Sequence, residues 1–296
     1  MVIPLNSVKH AVVMTFPAAK FQQYGFGIKG FVQNWPASVT GYAYIESPHL
    51  MPEFSANNLI ILDFDTAVGS SITEFEQRNS HRSIGDLSIG GPIGAKAAKF
   101  ARKVFVQLHA LENIDADFIH YIDADLYTRN RFSLEMPFLR NFFEDDFLLA
   151  CAPRSFNRKL PPEIALAKKK LAPGYTETGY IIWNMRHPHL SFWKKTYKEV
   201  YDSDLIFDFD EWHDCIAFDY ATLTTQRESG SKIFDLGGGV RSDHPLVEGP
   251  LGGYLDHLKG GLRKRIRFSP ERYGAIFGRL LSFLLIIVRR FKNLNL

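Results

Sequence analysis

Short apolar runs alternate with stretches of helical periodicity along the first half of the chain. The apolar runs predict strands at His10–Phe16, Thr40–Ile45, Leu59–Leu62 and Phe118–Ile122. Helices are predicted at Ala18–Asn34 and Ala95–Leu111, the second with one apolar face formed by Phe100, Val104, Leu108 and Leu111. Residues 66–95, rich in Gly and Ser, predict a long loop with a short helix. Strands that alternate with helices indicate an α/β sheet with crossover connections.

The second half of the chain predicts fewer strands and more helix. Further strands are predicted at Phe147–Cys151 and Tyr180–Asn184. Further helices are predicted at Glu163–Lys170, His189–Tyr201 and Asp214–Thr225, and the glycines at 237–239 and between 249 and 261 predict loops.

Length and composition favour one large domain, or one domain with an appendage. The chain has 296 residues, of which 46% are hydrophobic and 14% aromatic, so it can bury a sizeable core. Its two cysteines, Cys151 and Cys215, are too few for a disulfide framework and favour a reducing compartment. The first ten residues lack the apolar region of a secretory signal, and no apolar run is long enough to span a bilayer. We therefore expect a cytoplasmic protein.

The net charge of +3 hides an uneven distribution. Residues 251–296 contain ten Lys or Arg residues against two acidic ones, so the preceding part of the chain is mildly acidic. A basic tail on an acidic body predicts a local anionic partner rather than a nucleic acid. No zinc-type spacing, Walker loop or RNA-binding signature accompanies it.

The tail itself predicts an amphipathic helix. Within residues 271–292, the apolar stretch Leu280–Val288 is too short to span a membrane, and basic residues flank a broad apolar face. A helix of this kind suits an anionic membrane surface. A helix docked on the core, or a contact between two subunits, explains the pattern equally well, so the oligomeric state stays open.

Two aspartates at the end of a predicted strand are the main candidate for chemistry. The Asp-x-Asp pattern occurs five times, at Asp63/Asp65, Asp115/Asp117, Asp123/Asp125, Asp202/Asp204 and Asp208/Asp210. Only the first and third pairs follow an apolar run, and most such pairs cap turns or helices. We expect Asp63 and Asp65 to cap a turn or meet a nucleotide. Asp123 and Asp125 offer hard oxygen ligands for Mg²⁺ or Mn²⁺ bridging to a diphosphate.

Four short motifs, taken in order, resemble those of glycosyltransferases with the GT-A fold. They are Asp123-Ala124-Asp125, the segment Glu177-Thr178-Gly179 that opens a strand, Glu211-Trp212-His213-Asp214 at a helix start, and Asp256-His257-Leu258-Lys259-Gly260. The last is similar to the His-x-x-Gly-x-x-Lys segment of glycogenin-like transferases, with Arg263 in the basic position and Lys264 after it. The resemblance covers about residues 8–268 and implies a Rossmann-like mixed sheet flanked by helices. It defines a catalytic domain over 1–268 and a tail over 269–296.

The resemblance also implies an activity and a set of site residues. The activity is metal-dependent transfer of a sugar from a nucleotide-diphosphate donor, with UDP favoured, to a hydroxyl of a glycan or lipid-linked acceptor. The metal ligands are Asp123, Asp125 and His257. Donor contacts are assigned to Thr15, Lys103, Asp123, Gly179, Lys259, Gly260, Arg263 and Lys264.

An inverting transfer needs a carboxylate to deprotonate the acceptor. The first candidate is Asp214 and the second is Glu177. Plainer roles remain open at this stage: Asp214 as a helix N-cap, His257 as a core histidine, and the basic run 259–267 as a solvated face.

Two alternative functions are compatible with the sequence. Asp63-Phe64-Asp65-Thr66 approaches the Asp-x-Asp-x-Thr signature of haloacid-dehalogenase phosphatases, but Thr66 falls one place early. The second alternative is a membrane-associated module that binds a sugar without turning it over. The first predicts that Asp63 is indispensable, and the second predicts binding without catalysis.

Overall fold

The computed structural model describes residues 8–82, 97–154, 176–209, 212–242 and 244–258. Nine strands lie in these ranges. They are β1 (His10–Pro17), β2 (Thr40–Glu46), β3 (Leu59–Asp63), β4 (Phe118–Ile122), β5 (Leu126–Thr128), β6 (Phe147–Pro153), β7 (Thr176–Asn184), β8 (Lys232–Asp235) and β9 (Leu255–His257).

Seven α-helices lie in the same ranges. They are α1 (Phe21–Asn34), α2 (Phe64–Arg78), α3 (Ala97–Asn113), α4 (Pro137–Glu144), α5 (Leu190–Asp202), α6 (Asp214–Ser229) and the single turn α7 (Pro245–Glu248). Short 3₁₀ turns lie at Ala18–Lys20, Pro48–Leu50, Leu205–Asp208 and Pro250–Gly253.

Seven strands form one mixed central sheet in the order β3-β2-β1-β4-β7-β6-β8. Strands β1, β2, β3 and β4 run parallel to one another, whereas β7 runs antiparallel to both β4 and β6. The last strand, β8, is again parallel to β6. A separate two-stranded ribbon pairs β5 with β9. In this order the carboxyl end of β4 and the start of β7 lie side by side at one edge of the sheet.

Helices cover both faces of the central sheet. One hydrophobic cluster packs α2, α3, α5 and α6 against one face. A second cluster packs α1, α4 and α7 against the other. Strands β4 and β7 are buried along their whole length, as strands covered on both faces must be. The predicted fold class, an α/β fold with a mixed sheet flanked by helices, is confirmed and agrees with the GT-A expectation.

Two predicted elements need correction. Residues 66–95 were expected to be mostly loop, yet Phe64–Arg78 is a helix of 15 residues. Its buried residues Phe64, Val68, Ile72 and Phe75 recur at helical spacing, and this burial outweighs the low propensity of Gly69 and the serines beside it. The segment Thr176-Glu177-Thr178-Gly179 is not a loop before a strand but the first half of β7.

Several predictions lie outside the described residues. They are the helix at Glu163–Lys170, residue Glu211, the basic run from Lys259 onward and the amphipathic helix over 269–296. In the parts of the chain that the structure describes, no helix combines the length and apolar character needed to cross a bilayer.

Candidate active site

The carboxyl end of β4 presents both aspartates of the third Asp-x-Asp pair. The backbone N–H of Asp123 donates to the carbonyl of Gly179 at 2.8 Å, which ties the strand end to β7. The N–H of Leu126 then donates back to the Asp123 carbonyl at 2.8 Å, closing a turn. Both carboxylates are therefore fixed at the sheet edge where ligands of α/β folds bind.

The β5–β9 ribbon carries the late histidine to the same place. Leu126 pairs with His257 across the ribbon, and the N–H of Leu258 donates to the carbonyl of Asp125 at 2.9 Å. As a result, His257 Nε2 lies 3.2 Å from Asp125 Oδ1, although the two residues are far apart in sequence. The ring is buried, with its side chain 4% exposed.

A glutamate from β7 completes a compact group of metal-binding side chains. One ligand atom each from Asp123, Glu177 and His257 lie within 4.8 Å of one another. Glu177 Oε1 accepts from the N–H of Gly179 at 3.2 Å, and its Oε2 contacts the guanidinium of Arg154.

Gly179 lies directly against this group, where any side chain would be crowded. A Cβ added at position 179 would lie 3.1 Å from both Glu177 Oε1 and His257 Cε1, and 3.5 Å from Asp123 Oδ2. The absent side chain would therefore press against these three residues. A glycine in a strand interior often marks such a close approach of the backbone to a ligand.

A second network lies on the other side of Asp123 and is centred on Lys103 of α3. Its Nζ lies 2.8 Å from Asp123 Oδ1 and 2.7 Å from Asp214 Oδ2. It also donates to the carbonyl of Thr178 at 3.0 Å, while the Thr178 hydroxyl donates to Asp214 Oδ2 at 2.7 Å. The two oxygens of Asp123 thus belong to different neighbourhoods, with Oδ1 on the lysine and Oδ2 on the side of Gly179.

Burial and charge together set the protonation of this network. Burial by itself lowers the pKa of Lys103, but the charges of Asp123 and Asp214 outweigh it and raise that pKa well above its usual value. Burial by itself raises the pKa of Asp214, but the charge and hydrogen bond of Lys103 bring it below its usual value. For Asp123, burial prevails over Lys103 and raises the pKa. Lys103 and Asp214 therefore form a charged pair inside the protein.

The donor set fits a divalent cation. When ionised, the carboxylates Asp123, Asp125, Glu177 and Asp214 carry two more charges than Lys103 and Arg154 supply. Carboxylate oxygens with one imidazole nitrogen are ligands that Mn²⁺ and Mg²⁺ accept, and the imidazole favours Mn²⁺.

The structure brings together most of the expected site residues that it describes. Asp123, Glu177 and His257 form one group against Gly179, and Asp125 contacts His257. Thr15 lies at the same sheet edge, two residues beyond Val13, which pairs with Tyr121 of β4. The remaining donor candidates, Lys259, Gly260, Arg263 and Lys264, lie outside the described residues.

Two further candidates contact each other beside the group. Lys103, which was assigned to the donor, lies against two carboxylates, and its side chain is 12% exposed. Asp214 is the first residue of α6 and not its cap, because His213 takes the cap position. Its carboxylate is directed at Lys103 and Thr178 instead.

Arg154 and Thr178 were not among the residues expected from the sequence. Arg154 follows β6 and reaches Glu177, and Thr178 joins Lys103 to Asp214. For Thr178 the sequence held a usable signal, because it lies between Glu177 and Gly179. For Arg154 it held none, since only the β6–β7 pairing, with Ala152 opposite Glu177, places it near the site.

Comparison with known proteins gives little beyond the geometry. No family model matches the chain, and no curated protein matches it. Among solved structures, the apo form of mouse xyloside xylosyltransferase 1 aligns with 77% of this chain and 85% of its own, at 12% identity and a TM-score of 0.43. So loose a superposition transfers no residue role to this chain.

Proposed function

We propose that this protein is a divalent-cation-dependent glycosyltransferase that uses a nucleotide-diphosphate sugar. One observation carries the proposal: the carboxyl end of β4, the start of β7 and the β5–β9 ribbon converge on a single group of carboxylates with one buried histidine. The group Asp123, Glu177 and His257, with Asp125 beside the histidine, would form the cation site. The bound cation would stabilise the negative charge that develops on a diphosphate leaving group.

The residues around the group have separate tasks in this proposal. Lys103 holds Asp123 by its Oδ1 and leaves Oδ2 on the side of the cation. Asp214 balances the charge of Lys103, and a carboxylate of lowered pKa that faces a lysine is a poor proton acceptor. Asp214 therefore positions Lys103, which in turn holds Asp123. This role weakens the case for Asp214 as the base of an inverting transfer.

The finer features of the activity are part of the same proposal. The donor is a UDP-sugar, the transferred group is a hexose, and the acceptor is a hydroxyl of a glycan or a lipid-linked glycan. The reaction takes place on the cytoplasmic side, with residues 271–292 holding the protein to an anionic membrane surface. The composition of that segment supports the membrane assignment.

A panel of donors tests the proposal. Purified protein is incubated with UDP-, GDP- and CMP-sugars and Mn²⁺, with and without EDTA, and released nucleotide is measured. We expect turnover with one nucleotide class, lost with EDTA and restored by excess Mn²⁺. Absence of cation-dependent donor binding and of turnover across the whole panel would contradict the proposal.

The phosphatase alternative loses support at Asp63. This carboxylate caps α2 by accepting from the N–H of Thr66 at 2.8 Å. It belongs to β3, the outermost strand of the sheet, which is separated from β4 by β2 and β1. Among the described residues, the one compact group of metal-binding side chains lies instead at Asp123, Glu177 and His257. A sugar-binding module without catalysis is separated from an enzyme by the same panel, since it would bind donor without releasing nucleotide.

A further inference from the structure

The two ring nitrogens of His257 face different carboxylates. Nε2 lies 3.2 Å from Asp125 Oδ1. Nδ1 lies 3.8 Å from Glu177 Oε2, which is beyond hydrogen-bond distance. Because the backbone of Asp125 is held by the N–H of Leu258, the ring and this carboxylate are fixed relative to each other. The side of the ring that carries Nδ1 is the one that faces Glu177.

Glu177, not Asp125, belongs to the compact group. Among the described residues, the one set of three or more metal-binding side chains with ligand atoms within 4.8 Å of one another is Asp123, Glu177 and His257. Glu177 is buried, with its side chain 4% exposed, and so cannot be an incidental surface charge. Its two oxygens are held by the N–H of Gly179 and by Arg154, which fix the direction of the carboxylate.

We propose that Asp123, Glu177 and His257 Nδ1 bind the cation directly, and that Asp125 orients the histidine from Nε2. The proposal rests on the cation-dependent function above and specifies which residues touch the ion. It reverses the roles expected from the sequence, where Asp125 was a ligand and Glu177 a candidate base.

A general property of metal sites supports this division. A histidine that binds a metal through one nitrogen almost always gives its other N–H to a carboxylate, carbonyl or water, which fixes the tautomer and the ring orientation. Asp125 is placed at Nε2 for that purpose, while Nδ1 is left on the side of Glu177. A Cβ at position 179 would press against Glu177 Oε1 and the His257 ring and would contact Asp123 Oδ2, so glycine is what lets these three side chains approach one another.

Arg154 explains how Glu177 stays buried before a cation arrives. A carboxylate removed from water needs a compensating charge, and the guanidinium at Glu177 Oε2 supplies it. The same oxygen is the one nearest to His257 Nδ1. Cation binding would therefore make Glu177 share this oxygen between Arg154 and the ion.

Two amide variants test the assignment by Mn²⁺ binding alone, without donor or acceptor. Free Mn²⁺ is measured by electron paramagnetic resonance during titration of the wild type, Glu177→Gln and Asp125→Asn. We expect Asp125→Asn to bind about 10- to 100-fold more weakly than the wild type, as for other residues that orient a ligand. Glu177→Gln should lose more affinity than that, since it removes a ligand.

Matched controls make the result specific to the site. Glu74→Gln on α2 and Asp115→Asn, which precedes β4 at its opposite end, change exposed carboxylates and should bind like the wild type. Wild-type protein that binds no Mn²⁺, equal losses in the two site variants, or a larger loss in Asp125→Asn would each overturn the assignment. None of these outcomes depends on glycosyl transfer, so a failed donor panel with intact Mn²⁺ binding would contradict only the activity.

A second measurement needs no variant and so does not depend on folding of a mutant. Wild-type protein is made with histidine isotope-labelled at Nδ1 only, loaded with Mn²⁺ and examined by electron–nuclear double resonance. We expect a hyperfine coupling from the labelled nitrogen. A coupling only from the unlabelled nitrogen, or from no histidine, would overturn the assignment of Nδ1.

Discussion

At the scale of single residues, Lys103 determines how the carboxylates of the site are arranged. It is the shared cation of Asp123 and Asp214, and it lies within 5.0 Å of the Tyr121 ring centroid. A lysine in this position removes the mutual repulsion of two acidic side chains that would otherwise face each other inside the protein. The group of Asp123, Glu177 and His257 and the Lys103 network are therefore coupled through Asp123.

Removing this charge should destabilise the whole protein. We expect Lys103→Met to lower the free energy of unfolding by about 3–5 kcal/mol, because it leaves two carboxylates in a buried place without their partner. Urea denaturation at neutral pH measures the change. Adding Asp214→Asn to the same chain should recover part of the loss, since one of the two charges is then gone.

Lys99 provides the matched control for that prediction. It lies one turn earlier on α3 and is exposed. Lys99→Met should change the free energy of unfolding by no more than about 0.5 kcal/mol. Equal effects of the two methionine variants would show that Lys103 contributes no more than a surface lysine.

The residue-level network was only partly predictable from the sequence. The strand before Asp123 and the Gly179 motif are local patterns, and the resemblance joined them to His257. The pairing of Lys103 with Asp214 follows no local pattern, because tertiary packing of α3 and α6 on the same face of the sheet brings the two residues together. The role of Thr178 could not be predicted, because its hydroxyl contacts Lys103 and Asp214, which lie far from it in the sequence.

At the scale of elements, the strands were predicted better than the helix ends and the ribbon. Buried strands such as β4 are uninterrupted apolar runs and need no tertiary knowledge to be recognised. The three-residue strands β5 and β9 carry no periodicity, and they form only because the chain returns to the same edge. The length of helix α2 was underestimated because Gly69 and the serines beside it interrupt its apolar stripe.

The start of α2 gives a prediction that also separates two functions. Asp63 accepts from the N–H of Thr66, and this hydrogen bond lowers its pKa. Asp63→Ala should lower the midpoint of thermal unfolding, whereas Asp63→Asn should not, because Asn caps helices as well as Asp does. Both variants should keep cation-dependent turnover of the donor.

Thermal unfolding and the donor assay are read side by side for these two variants. A phosphatase that uses Asp63 as its nucleophile would lose all turnover in Asp63→Asn at unchanged stability. That outcome would reject the proposed site and restore the phosphatase alternative.

At the scale of the whole molecule, a buried row of hydrogen-bonded polar side chains runs across three neighbouring strands, β1, β4 and β7. It lies on the face of the sheet that the second hydrophobic cluster covers. His10 Nδ1 lies 3.0 Å from His120 Nε2, and His120 Nδ1 lies 2.9 Å from the Tyr180 hydroxyl. Burial lowers the pKa of His10 to about 4 and that of His120 well below its usual value. Both rings are therefore neutral in the folded protein at neutral pH.

Because His10 and His120 are neutral in the folded protein, we predict that the free energy of unfolding falls in acid over a defined pH range. Unfolded histidines titrate near about pH 6.5. Below that value the unfolded state takes up protons that the folded state does not, so stability falls as the pH drops toward about 4. Each of the two histidines should contribute a slope of about 1.4 kcal/mol per pH unit in that window. Stability should be independent of these groups above the window.

Urea denaturation across the window measures the slope. His10→Asn should reduce it relative to the wild type, whereas His81→Gln, which changes an exposed histidine, should leave it unchanged. Asp117 and Arg186 lie close enough to shift His10 in opposite directions, and both remain in each variant. A wild-type slope equal to that of His10→Asn would show that His10 is already protonated in the native state.

The ribbon of β5 and β9 determines when, during synthesis on the ribosome, all the residues of the site become available. The carboxylates of β4 and β7 are encoded well before His257, and the ring reaches them only through its pairing with Leu126. A nascent chain that has emerged from the ribosome only as far as residue 254 already contains every acidic member of the group but lacks His257. The proposed cation site can therefore be completed only late in synthesis, after the strands beside it have been made.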